Sequence, residues 1–313
     1  MKIVIPGGSG QVGHVLCRAF QGDGHDVVVL SRHPVARPWR VEAWDGATLG
    51  AWSRELDDCD VVINLAGRSV NCRYTPANRR EILESRVLST RVVGQAIAAA
   101  RRPPCIWLQA STATIYSHRY DAANDEASGQ IGGGSQSPST WSFSIDVARA
   151  WEAAFNDAAV PGTRKVALRS AVTMSPDRDG IFDTLLGLVR RGLGGSAGDG
   201  RQYVSWIHHV DFVEAIRWLI DHDTVEGVIN VAAPNPLPNA EFMRALREAW
   251  GTPIGLPAAR WMLAVGAVFL HTETELILKS RRVVPARLLE SGFVFRHPNW
   301  PDAALDLVRR RAH

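Results

Sequence analysis

The sequence predicts an α/β fold, a doubly wound parallel sheet followed by a smaller, mainly helical C-terminal region, and three observations carry that expectation. Apolar runs of strand length alternate with segments of helical period through most of the chain. The runs read as continuous Val, Ile and Leu, as strands covered on both faces do. The first of them, Ile3-Val4-Ile5, leads directly into Gly7-Gly8-Ser9-Gly10-Gln11-Val12-Gly13 and then into an amphipathic segment.

Strand, glycine turn and helix make a Rossmann-type opening. Gly8, Gly10 and Gly13 read G-x-G-x-x-G, while Gly7, Gly10 and Gly13 read G-x-x-G-x-x-G. A helix beginning near Val12 leaves backbone N–H groups open at its start, where a pyrophosphate can sit. Val12, Val15, Leu16, Ala19 and Phe20 give it an apolar face, Gly22 and Gly24 stop it, and Val27 to Leu30 forms a second strand. A dinucleotide site is therefore expected, against the plainer reading of a tight turn that binds nothing. At the end of the second strand stands Ser31-Arg32-His33, where an NAD site usually carries an acid for the ribose hydroxyls. The planar fork of the Arg32 guanidinium suits a 2′-phosphate, so NADP is the expected cofactor; the alternative is a solvated surface arginine.

A short strand is expected over Arg40 to Trp44 and a helix across Leu49 to Leu56. Asp60 to Gly67 reads as a buried strand ending in small residues, against which a flat cofactor can lie. A helical pattern runs from Ala77 to Arg101 and stops at Pro103-Pro104, and Ile106 to Ala110 forms the next strand. Ser111-Thr112-Ala113-Thr114-Ile115-Tyr116 follows. The polar stretch from His118 to Thr140, with Gly132-Gly133-Gly134, is either a substrate loop at the carboxyl edge of the sheet or a surface excursion. Then come a helix over Ser144 to Ala159 and a strand over Val166 to Arg169. Gly192 to Gly200, with Arg201, offers an anion or substrate rim or a solvent-facing connection. A helix over Asp211 to Ile220 and a strand over Val228 to Val231 complete the alternation. Pro234, Pro236 and Pro238 lead into helices over Glu241 to Trp250, Ala258 to His271 and from Asp302. The expected division is residues 1–233, a nucleotide-binding unit, and 234–313, a small unit covering the nicotinamide end.

Charge and cysteines narrow the classes. Lys and Arg total 35 against 32 acidic residues in 313, a formal charge of +3 that gives no reason to expect a nucleic acid or membrane partner. Cys17, Cys59, Cys72 and Cys105 form no C-x-x-C pair, which argues against zinc and for a reducing compartment. With the first strand opening at residue 2 and no basic leader before it, the expected location is cytoplasmic. Trp261 to Leu270, the most apolar window, is too short to cross a membrane and is expected to be a buried helix. No metal site is expected: His208 and His209 should diverge on any regular element, with His208 and Asp211 fixing the start of a helix.

Gly7 to Gly13, Ser31-Arg32, Asn64-Leu65-Ala66-Gly67, Ser85-Arg86, Ser111 to Tyr116 and Leu168-Arg169 together resemble the extended short-chain dehydrogenase/reductase (NAD-dependent epimerase/dehydratase) superfamily. Gly194-Gly195, Gly200-Arg201-Gln202, Trp206-Ile207-His208 with Asp211, and Pro285 to Phe295 resemble its atypical epimerase-like subgroup, which carries a C-terminal domain of unknown function. The resemblance implies NADP contacts from Gly7, Gly8, Ser9, Gly10, Gln11, Val12, Gly13, Ser31, Arg32, Leu65, Ala66, Gly67, Glu81, Arg86, Ser111 and Thr173.

The superfamily's catalysis uses a tyrosine, a lysine four residues later and a Ser or Thr that orients the reacting oxygen. A phenol with a pKa near 10 needs a neighbouring cation to exchange protons at neutral pH. Thr112 stands in the hydroxyl position, but counting back from Trp151-Glu152 puts Ser142 and Asp146 where tyrosine and lysine belong. Tyr116 is the substitute proton carrier, set against a reading as a packing aromatic; His118, Tyr120 and Tyr203 lie in segments that could face a pocket. The expected function is an NADP-binding oxidoreductase or epimerase-like protein acting on a small polar substrate. The alternative is a non-catalytic NADP-binding regulatory or interaction protein. A sugar-nucleotide epimerase with tightly held NAD is a third reading, opposed by Arg32.

Overall fold

The computed structural model describes residues 1–133, 138, 141–259, 261–263 and 273–312. Its centre is a seven-stranded sheet in the order β10-β6-β5-β4-β1-β2-β3. The strands are β1 (Lys2–Pro6), β2 (Asp26–Ser31), β3 (Arg40–Ala43), β4 (Val61–Asn64), β5 (Ile106–Thr112), β6 (Arg164–Ser170) and β10 (Gly227–Val231), and every pair in the sheet is parallel. The order reverses between β1 and β4, so the chain leaves these neighbours in opposite directions and opens a crevice beyond their carboxyl ends.

Strand alternation sorts the core into two layers. Ile3, Ile5, Val27 and Val29 face one side, where they pack with Leu16 and Phe20 of α1 (Gln11–Gly22) and Phe212 and Ile216 of α5 (His209–Asp221). Val4, Val28, Val62 and Trp107 face the other, against Val93 of α2 (Pro76–Ala99) and Phe155 of α3 (Ser142–Asn156). Thr75 caps α2 by accepting from the Asn78 N–H, and Pro76 fills the first helical position without losing a hydrogen bond.

A third apolar cluster lies outside the sheet. It joins Phe182 and Leu186 of α4 (Ile181–Arg190), Phe242 and Leu246 of α6 (Asn239–Trp250), Trp206, and Trp300 and Leu307 of α9 (Trp300–Ala312). Trp300 stacks on Phe242 at 3.9 Å and donates its indole N–H to the Phe242 carbonyl. Two short strand pairs border this cluster: β7 (Val172–Met174) with β9 (Trp206–His208), and β8 (Tyr203–Val204) with β11 (Leu237–Pro238). Helix α4 and these strands have no counterpart in the sequence-based expectation; the helices α7 (Glu275–Leu278) and α8 (Ala286–Glu290) are single turns with no period to detect.

Other boundaries differ for local reasons. The helix expected across Leu49 to Leu56 is a 3₁₀ turn over Ala51–Leu56 that buries Trp52 and Leu56. The strand expected to reach Gly67 stops at Asn64, whose amide accepts from Ala66 N and donates to Gln109 Oε1 at 2.9 Å, turning the chain. β5 runs on to Thr112. Trp261 is 70% exposed and Met262 45%, contrary to the burial expected there, Leu263 is half-buried, and 264–270 lie outside the described residues. The described part of the 118–140 stretch is tied down: Asn124 exchanges backbone hydrogen bonds with Arg282 and Val284, and Tyr116 bridges to Ile131. Gly134 and Thr140 lie outside the described residues. Among the described residues no helix is long and apolar enough to cross a membrane.

Candidate functional site

Among the described residues, the two most spacious hollows at the carboxyl ends of the strands are a crevice and a cavity. The first is a crevice of about 430 Å³ at the ends of β1, β2 and β4, walled on one side by α2. Of the residues the sequence nominated, Gly7, Ser9, Gly10, Ser31, Arg32, Leu65, Ala66, Gly67 and Glu81 line it. The turn is drawn tight by contact: a Cβ on Gly13 would fall 2.2 Å from the Gly8 carbonyl oxygen, and one on Gly7, at φ +73°, would fall 2.5 Å from Ala66 Cα. Gly10 is the opposite case. Nothing lies within 4 Å of where its Cβ would be, and no side chain caps α1, so the helix start faces open space with its N–H donors.

The other nominated residues lie behind the crevice. Gly8 and Gly13 build the turn, and Val12 packs against the core. The amide of Gln11 is wedged against Gly180. Arg86 supports the wall: its Nη1 donates to the carbonyls of Arg68 and Ile82, and the guanidinium lies over Trp151 at 5.0 Å. Burial lowers its pKa to about 10. Ser31 is occupied locally, donating to the His33 carbonyl and accepting from the His33 N–H. Glu81 pairs with Arg68 at 2.9 Å. Arg32 is exposed, and no hydrogen bond or ion pair to it is found among the described residues. The lining also includes Trp44, Asp45, Gly46, Arg68 and Leu88, which were missed, and Ser85, quoted in the family resemblance but not nominated as a contact. Ser85 and Leu88 were findable, since helical spacing puts them on one face with Glu81.

The second hollow is a cavity of about 390 Å³ beyond β5 and β6. Thr112, Thr114, Tyr203, Lys279 and Arg281 line it, among walls that are otherwise mainly apolar, including Val172, Met174, Leu185 and Phe242. Thr112 Oγ1 accepts from the Thr114 N–H at 3.1 Å, which leaves its own hydroxyl proton to donate. Thr173 sits between Val172 and Met174, so strand alternation turns its side chain away from this wall.

Tyr116, nominated as proton carrier, does not line this cavity. Its hydroxyl, 2% exposed residue and all, accepts from Arg169 Nη1 at 3.0 Å and donates to Asn230 Oδ1 at 2.9 Å, and burial pushes its pKa up. The same buried network takes Ser111, whose Oγ donates to Glu152 Oε1 at 2.6 Å, while Arg169 grips both Glu152 oxygens. The nominated Ser111 hydroxyl is therefore structural. Ser142 and Asp146 are exposed on α3 and line neither hollow.

Lys279 was not anticipated. Its side chain is fully buried, Nζ donates to the Thr114 carbonyl at 2.7 Å, and Glu275 Oε1 stands 3.7 Å away, beyond hydrogen-bonding range. Burial lowers its pKa to about 8. Ser144 Oγ donates to the other Glu275 oxygen at 2.6 Å, and Tyr74 is hydrogen-bonded to Ser144 in turn. Burial raises both the Glu275 carboxyl and the Tyr74 phenol. Arg281 donates through Nε to Thr114 Oγ1 and through its terminal nitrogens to the carbonyls of Leu276 and Glu275. His118 accepts from the Ser280 N–H, so it braces this segment from outside the cavity.

His208 caps α5, as expected, by accepting from the Val210 N–H at its Nδ1. Its ring lies 4.5 Å from that of His209, not diverging from it, and 3.9 Å from that of His297. His208, His297 and Asp306 bring ligand-type atoms within 4.8 Å of one another. Burial drives the His208 pKa down to about 3. A neutral ring that accepts at Nδ1 must carry its proton at Nε2, which then donates to Asp306 Oδ2 at 3.1 Å and has no lone pair for a metal.

Comparison with known proteins agrees with this geometry. Residues 3–232 match the profile of the NAD dependent epimerase/dehydratase family, and residues 259–307 match a domain of unknown function, DUF1731. Epimerase family protein SDR39U1 of Bos taurus is 34% identical over 98% of this chain and its own full length, and epimerase family protein YfhF of Bacillus subtilis is 30% identical over 99% of each. The crystal structure of human SDR39U1 (isoform 2) with NADPH superposes with a TM-score of 0.86 at 28% identity, covering 99% of both chains. The chain belongs to the NAD dependent epimerase/dehydratase family.

Proposed function

We propose that this chain is an NADP-dependent oxidoreductase or epimerase-type enzyme that takes a small substrate into the cavity beyond β5 and β6. One observation carries the proposal: the crevice and the cavity share a boundary loop, with Ala66, Gly67 and Arg68 lining the first and Val70 the second. The crevice fits a dinucleotide in its own right. The uncapped start of α1 and the open flank of Gly10 suit a pyrophosphate, and Arg32 suits a 2′-phosphate. The NADPH in the human relative's crystal structure supports the same choice. Bound there, the nicotinamide would supply or accept a hydride.

Thr112 is the residue proposed to hold the reacting oxygen, because its hydroxyl proton is uncommitted at the cavity wall. The largely apolar walls favour a substrate with an apolar body over the wholly polar one expected from sequence. The division at residues 233 and 234 belongs to the same proposal, with the C-terminal unit closing the cavity. A non-catalytic NADP-binding role is the second reading, favoured by Ser142 and Asp146 in the places of tyrosine and lysine.

A paired titration of cofactor-stripped protein with NADPH and NADH, on the wild type and Arg32→Ala, tests the cofactor. The expected result is a preference for NADPH that falls at least about tenfold in the variant, as losing charge-assisted hydrogen bonds implies. Equal binding of both nucleotides to the wild type would overturn it. Oxidation of NADPH by a carbonyl panel, abolished in Thr112→Val with binding retained, would decide for the enzyme over the second reading.

A further inference from the structure

Two cations line the cavity beside Thr112 in mainly apolar surroundings, with one carboxylate behind them. Lys279 and Arg281 line it, and Glu275, which does not, is the one carboxylate in electrostatic contact with either cation among the described residues. The cluster thus carries one uncompensated positive charge away from bulk water, an arrangement that costs free energy until an anion joins it. Hydrogen bonding is incomplete in the same place. Of the three N–H donors on Lys279, the Thr114 carbonyl takes one, and Glu275 Oε1, itself without a hydrogen-bond partner, lies too far off to take another.

We propose that this cavity recognises a monocarboxylate with an apolar body, its carboxylate held by Lys279 and Arg281 and its chain lying along Val172, Met174 and Phe242. The inference rests on the cavity being the substrate site of the proposed function. One negative charge restores neutrality, whereas a dianionic phosphate ester would overshoot it. Two rigidly held cations on one wall suit the two oxygens of a carboxylate, and fixing that end presents the rest of the molecule to Thr112. The donors come from the C-terminal unit. The segment carrying them is fastened to the nucleotide-binding unit by Lys279 and Arg281 to Thr114 and by the Tyr203 N–H to Ser280 Oγ.

The test is calorimetry on the full chain saturated with NADP, titrating hexanoate, octanoate and 4-phenylbutanoate, each against its primary amide, with 4-phenylbutyl phosphate as a further arm. The expected result at pH 7 is an acid bound at least about tenfold more tightly than its amide. Lys279→Met should erase that preference and leave amide binding unchanged. Because the variant also takes the ammonium from the Thr114 carbonyl and from beside Glu275 and can fail to fold, the wild type provides an independent measurement. Lys279, whose pKa is lowered to about 8, faces Glu275, Arg281, Tyr203 and, through Ser144, Tyr74. Burial also lowers Arg281, but from an ordinary value far above that of lysine, so Lys279 is the first of the two to lose its charge, and acid affinity should fall as pH rises above about 8 while amide affinity stays level.

Equal affinity for acid and amide, a preference unchanged at pH 10, tighter binding of the phosphate, or no binding across the series would each overturn the proposal. Nicotinamide fluorescence on the same samples separates the two readings. An acid preference in protein that does not bind NADPH would sink the proposed function and leave the cavity's specificity standing.

Discussion

The two hollows at the edge of the sheet are built by different means. The crevice draws its lining from residues 7 to 89, mostly from backbone and small side chains at the ends of β1, β2 and β4. The cavity gathers residues from segments as far apart as Val70, Thr112, Val172, Leu185, Phe242 and Lys279, and its cationic side chains come from the far end of the chain. A site made of backbone N–H groups is fixed once strand, turn and helix form, because those donors are the same whatever the side chains. A site made of side chains exists only after distant segments pack. One chain can therefore keep a general cofactor site and a particular substrate site whose occupant is set elsewhere in the sequence.

The sharpest way to break this comparison is to cut the network beneath the cavity. Glu152→Ala leaves Arg169 buried without its carboxylate, between β5 and β6, and should cost about 3–5 kcal/mol. Urea denaturation would read that loss. NADPH affinity, measured well below the transition, should stay within about twofold, since the crevice lies on the other strands; a large drop would mean that the two hollows are not independent.

Gly13→Ala makes the reverse cut. A Cβ 2.2 Å from the Gly8 carbonyl forces the turn apart, costing about 1–3 kcal/mol as overpacking does. NADPH binding should weaken at least about tenfold while carboxylate binding in the cavity holds. Smaller again, Tyr116→Phe removes a hydroxyl that joins Arg169 to Asn230, worth about 1–2 kcal/mol of stability. Any turnover found should survive it. Collapse of turnover in a stable Tyr116→Phe protein would return Tyr116 to the mechanism.

The same contrast explains what could be read from sequence. That the glycine turn, Arg32 and residues 65 to 67 stand at the crevice was legible because each is a local statement: a strand, then residues whose backbone or charge would suit a phosphate. Thr112 was legible by its place at a strand end. Lys279 was not, since Leu278-Lys279-Ser280-Arg281-Arg282 reads as an ordinary basic surface run, and only packing shows that its one lysine is buried at a cavity wall. Tyr116 misled for the converse reason. Its position after β5 matched a catalytic place, but the partners that occupy its hydroxyl, Arg169 and Asn230, lie more than fifty residues away. By contrast α4 did carry a signal, with Phe182, Leu186 and Val189 at helical spacing, and the sequence reading passed over it.

The finest test concerns Glu81, which the family resemblance implies as a cofactor contact and which pairs with Arg68 at the crevice rim. Its side chain is 62% exposed, so the ion pair contributes little to stability. A carboxylate at the edge of a crevice meant for phosphates repels them, and it also holds Arg68 away from them. Glu81→Gln should then tighten NADPH binding, by about twofold at low salt, and the gain should vanish at about 0.5 M salt as screening removes the repulsion. If Glu81 accepts a hydrogen bond from the cofactor's ribose, the sign reverses and affinity falls at any salt concentration. The direction of a twofold change thus separates a crevice read by its backbone and arginines from one that also reads the ribose through an acid.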